Sequence, residues 1–251
     1  MFGVWAPLLW SVLFLSAIWW LSRRQAFYLM SALYHLTRSQ QVAIAGYVIF
    51  FWPGTLVHEF AHWIMAKILG VKTAGFHIIP DLKTKNGTIQ LGSVNVRGGG
   101  LVEHTLIGMA PMLLGGALTL ALSYWLVDVD ALVAAIRSEQ SGSVLTVAQQ
   151  TFQRPDALIW LYLLFTISGS MFLSASDRAP VQRLAWYLAA VLLPLYLFGL
   201  IPALPPEWTR VIAEMFTVFA SGLAVAVALH LVMTVVFVLI YGLARVLRPG
   251  G

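Results

Sequence analysis

Two histidines stand one helical turn apart, with a glutamate between them, at His58-Glu59-Phe60-Ala61-His62. On a helix, residues four apart share a face, so both imidazoles can grip a single Zn²⁺. Glu59 is then placed to act as general base on a water that the metal activates. The flanks, Ile49-Phe50-Phe51-Trp52 and Trp63-Ile64-Met65-Ala66, belong to an apolar stretch long enough to cross a bilayer. Ionisable groups are expensive at that depth and usually serve a function. A hydrolytic metal site within the membrane accounts for them. The competing reading is a pair of helix histidines hydrogen-bonded inside a bundle.

The chain that must position these residues has 251 of them, 60% hydrophobic and 10% charged, with mean hydropathy +0.84. A soluble domain carries about 25% charged residues. The composition therefore implies an all-α polytopic membrane protein. The net charge of +5 points to Lys and Arg on the cytoplasmic side of a bilayer rather than to nucleic acid. The absence of cysteine excludes disulfides, thiolate zinc sites and a cysteine nucleophile.

Six apolar segments are long enough to span, at about 4–22, 42–69, 101–127, 157–177, 184–201 and 211–244. About six transmembrane helices are expected. The first apolar run is followed by Arg23-Arg24 and lacks a basic region before it and a small-residue cleavage site, so it reads as a retained span. Residues 22–41 are mixed and read as an interfacial helix. Asn86-Gly87 lies between β-prone runs, which predicts a small β-hairpin between the second and third spans. Residues 128–156 form a polar loop, long enough for an amphipathic helix and too short for an inserted folded domain. Three parts follow: an N-terminal span with its interfacial segment (1–41), a core carrying the motif, hairpin and two further spans (42–183), and C-terminal spans (184–251). Counting Lys and Arg puts nine on one side and six on the other if the second span runs from outside to inside. That orientation faces the motif toward the cytoplasm.

A catalytic zinc has three protein ligands and one open position, so a third ligand is needed. The motif lies in the C-terminal half of its span. Asp177, at the end of the fourth span, which runs the same way, reaches the same depth. Its surroundings, Ser168-Gly169-Ser170 and Ser174-Ala175-Ser176, are small and polar, which allows close helix approach and orients a carboxylate. Glu103 and His104, at the start of the third span, are the rivals. Asp128, Asp130 and Asp156 fall on the far side. His77 and His230 read as structural, and His35 as interfacial.

These residues together resemble the site-2 protease family of intramembrane zinc metalloproteases. The resemblance rests on the His58-to-His62 motif in a span, a hairpin region after it, Gly108-Met109-Ala110-Pro111 in the next span, and an aspartate late in the one after, here Asp177. It covers about residues 42–180. Ser174-Ala175-Ser176-Asp177-Arg178 departs from the Leu-Asp-Gly context usual in that family. The resemblance implies a metalloprotease that hydrolyses peptide bonds of membrane-embedded or membrane-proximal substrates. His58, His62 and Asp177 would bind Zn²⁺ and Glu59 would be the base. The chain's size and compactness suggest an integral protein of a bacterial-type plasma membrane, and the Lys and Arg count turns the active site toward the cytoplasm. Two other readings stay open: a catalytically inactive relative acting as a membrane scaffold or binding protein, and a metal transporter.

Overall fold

A computed structural model of the chain describes residues 5–77, 81–85, 88–90, 93–137, 141–200 and 204–248. Helices dominate. α1 runs from Ala6 to Thr37, and Arg38 closes it in the left-handed region, its N–H donating to the Tyr34 carbonyl. Residues 22–37, expected as a separate interfacial helix, instead continue the first apolar run as one helix. Arg23 and Arg24 remain exposed on it, each stacked on a tryptophan one turn back. This arrangement needs no chain break.

The Ser39 hydroxyl accepts from the Val42 N–H to start α2, Gln40–Ile68, which carries the motif. Two antiparallel strand pairs follow. β1, Lys72–His77, pairs with β4, Ser93–Arg97, and β2, Asp81–Lys85, with β3, Thr88–Gln90. The Asn86-Gly87 turn expected from the sequence lies outside the described residues, as does the side chain of His77. α3, Leu101–Leu126, then returns alongside α2. Its first turn is capped by Glu103, whose carboxylate accepts from the Gly100 N–H at 2.9 Å.

The polar loop holds two helices, α4, Val129–Arg137, and α5, Ser141–Phe152. α6 spans Ala157–Ser170, α7 spans Ala175–Leu197, and α8 spans Pro206–Leu247. Five of the described helices, α1, α2, α3, α7 and α8, are long and apolar enough to cross a membrane.

The segment expected to cross as a fourth span does not do so as one helix. α6 has 14 residues, which is about 21 Å of helix against a hydrocarbon core of about 30 Å. The chain then breaks at 171–174, where Met171 is fully buried and Ser174 exposed. Such breaks survive at that depth only where protein surrounds them or they line a site.

Helix directions follow from paired contacts. Tyr162 Oη donates to the Phe50 carbonyl, and His58 Nδ1 meets the Ser170 carbonyl. Both pairs are 112 residues apart, so α2 and α6 run parallel. At the start of α7, Asp177 lies against Gly108 and the Pro180 carbonyl against Thr105. α7 therefore runs antiparallel to α3 there, continuing the direction of α6. Residues 157–197 form one interrupted helical path rather than the end of one span and most of another.

The core gathers around α6. Leu164, Phe165 and Ser168 are buried, with Phe165 against Phe51 and Phe237 and Leu164 against Val225. A polar cluster sits beside it. His230 Nδ1 meets Gln25 Oε1 at 2.9 Å and His230 Nε2 meets Ser168 Oγ at 3.0 Å, all three residues fully buried. His230 is thus a packed, hydrogen-bonded residue. α1 and α8 run side by side and parallel, and Arg38 Nη2 donates to the Arg248 carbonyl at 3.2 Å. The nine-to-six count takes Arg38 as outer and Arg248 as cytoplasmic, whereas this contact places the two at the same end of the bundle.

Candidate metal centre

His58, Glu59 and His62 lie in the second half of α2, one turn beyond Pro53 and Gly54. Gly54 faces α6. A methyl group there would fall on the Thr166 backbone carbonyl, so only glycine permits this approach. The approach brings the end of α6 to His58, whose Nδ1 lies 2.7 Å from the Ser170 carbonyl. His62 Nδ1 lies 2.7 Å from the Ile107 carbonyl on α3.

Those two contacts fix the tautomers. A carbonyl only accepts, so each Nδ1 carries the proton and donates it. In the neutral rings, each Nε2 then offers a lone pair. The two Nε2 atoms face one another at 3.2 Å. Asp177 adds a carboxylate, with Oδ1 3.5 Å from His62 Nε2 and Oδ2 3.7 Å from His58 Nε2. With both rings neutral, three acceptors converge. A cation in their midst would supply positive charge. Ligands about 2.0–2.1 Å from a tetrahedral ion stand about 3.3 Å from each other, close to the separations found. The residues fit a Zn²⁺ ion. Among the described residues, His58, His62 and Asp177 form the one group of three or more such side chains close enough to share a metal.

Asp177 reaches the site by a route other than the one expected. It sits in the first turn of α7, not at the end of the preceding helix. Ser174 and Asp177 form a capping box, with Asp177 Oδ2 accepting from the Ser174 N–H at 2.9 Å. In an unbroken helix the Ser174 N–H would bond the Ser170 carbonyl. By taking that N–H, Asp177 leaves the Ser170 carbonyl to His58. Gly108 lets α3 close on this turn, since a methyl group there would stand 2.9 Å from the Asp177 carbonyl.

Glu59 is buried, 9% exposed, and His62 7%. Glu103, a rival for third ligand, is occupied as the cap of α3, and neither it nor His104 belongs to the cluster. Residue type and spacing point to the side chains of the cluster but not to its supports. The Ser170 and Ile107 carbonyls carry no residue-type signal. The available hints were Gly54 after Pro53, and Pro111 within an otherwise helical run. Comparison of the chain with protein-family models, curated proteins and solved structures gives no match.

Proposed function

We propose that the protein is an intramembrane zinc metalloprotease, similar in plan to the site-2 protease family. The observation that carries this reading is the convergence of His58 Nε2, His62 Nε2 and the Asp177 carboxylate, with both imidazoles held by backbone carbonyls. The chemistry a zinc ion supplies when bound there is Lewis acidity, which polarises a peptide carbonyl and acidifies water toward neutrality. Glu59, adjacent to His58 and sheltered from solvent, accepts the proton of the attacking water and returns it to the leaving amine. A purely structural zinc site has four protein ligands and needs no base; here three side chains converge and a buried carboxylate stands beside them.

The substrates in this reading are membrane-embedded or membrane-proximal peptides. A helical substrate must unwind before its backbone is open to attack, and β1 to β4 offer strand edges on which an extended segment can pair. Lys67, Lys72, Lys83, Lys85 and Arg97 cluster between α2 and α3, which supports a cytoplasmic position for the strands and the nearby site, as in a bacterial-type plasma membrane. The metal-transport reading has one observation in its favour, the polar groups Gln25, Ser168 and His230 in the bundle core. These groups are enclosed and bonded to one another, which suits packing better than passage.

The test is Glu59→Gln in purified protein with a membrane-tethered reporter. Zinc should stay bound at about one ion per chain while cleavage is lost. Undiminished cleavage would sink the protease reading. Zinc uptake into sealed vesicles would favour transport.

A further inference from the structure

We propose that Pro111 is a positioning residue for His62, acting through the Ile107 carbonyl; this rests on the metal-centre reading above. Pro111 lies inside α3 and is fully buried. In a helix the N–H of residue 111 would bond the carbonyl of residue 107. Proline has no N–H, and its ring crowds the carbonyl four residues back. The Ile107 carbonyl therefore has no partner from residue 111, and the ring crowds it from that side. It is the carbonyl that His62 Nδ1 meets at 2.7 Å.

The same logic holds His58. The Ser170 carbonyl is free because the Ser174 N–H is bound to Asp177. Each imidazole thus hangs from a carbonyl that has lost its helical donor, one through a chain break and the other through a proline. Backbone carbonyls of this kind fix the tautomer of a ligating histidine and the direction of its free nitrogen. Gly108, beside Ile107, permits the contact with Asp177, so this one turn of α3 sets both His62 and Asp177.

Replacing the ring restores the N–H. Pro111→Ala and Pro111→Val both do so, and they differ in volume on either side of proline, which separates loss of packing from return of the donor. Two readouts are used. The first is zinc affinity by competition with a chelator, expected to fall about tenfold or more in both variants. Pro194→Ala, in an exposed part of α7, should leave it unchanged. The second needs no metal: in metal-free protein with ¹⁵N-labelled histidine, the His62 Nδ1–H resonance should lie downfield in the parent and move upfield in both variants. A shift in Ala alone would assign the effect to packing and overturn the proposal, as would an unmoved resonance in both. Failure of the parent to bind zinc would instead overturn the metal-centre reading, leaving the resonance to judge the role of Pro111.

Discussion

Asp177 does two jobs with one carboxylate. Oδ2 caps the Ser174 N–H, and both oxygens face the imidazoles. Asp177→Ala should therefore weaken zinc binding by more than the about 10- to 100-fold that follows loss of a hydrogen bond supporting a ligand. It should also lower thermal stability. Glu103→Ala separates the two effects: it removes a cap, at about 0.5–1 kcal/mol, and should leave zinc affinity unchanged in the same chelator titration. The reverse order would make Glu103 the ligand. At this scale the sequence is most legible for His58, Glu59 and His62, because helix geometry alone converts their spacing into a shared face. Asp177 was legible as an acid at the right depth. Its role in the cap was not, since that depends on a break at 171–174 that hydropathy does not register.

The helices meet the site through small residues and missing donors. Gly54 lets α2 lie against the α6 backbone, and the constant separation of the Phe50–Tyr162 and His58–Ser170 contacts shows how straight that contact is. Gly54→Ala should push the helices apart, costing about 1–3 kcal/mol, and should weaken zinc binding because His58 loses its anchor. Gly242→Ala in α8 is the control: a methyl group there meets nothing within 4 Å, so the expected change is neutral or about 0.5–1 kcal/mol of stabilisation. Thermal melts in detergent compare the two, and equal effects would show that the close approach is unimportant. Apolar length locates every long helix among the described residues, yet it misreads 22–37 and 157–177. A run of apolar residues looks alike whether the helix continues past two arginines or stops at Ser170. Local capping and tertiary contacts make that choice.

Across the whole molecule, the five long apolar helices agree with a membrane protein, and composition had already implied as much. Orientation is less accessible to counting, because the Arg38–Arg248 contact joins ends that the sequence had set apart. The chain has no cysteine, so single cysteines report directly. With an impermeant thiol reagent outside intact cells, Gln153→Cys should label and Lys72→Cys should not. The opposite pattern would turn the site outward.

In the proposed centre, His58, His62 and Asp177 share one metal ion. X-ray absorption at the zinc edge of the purified protein tests it most directly. About one zinc per chain is expected, with two imidazole nitrogens and carboxylate or water oxygen at about 2.0–2.1 Å, and one imidazole fewer in His62→Ala. A zinc-free protein, or a spectrum with two imidazoles that His62→Ala leaves unchanged, would contradict it.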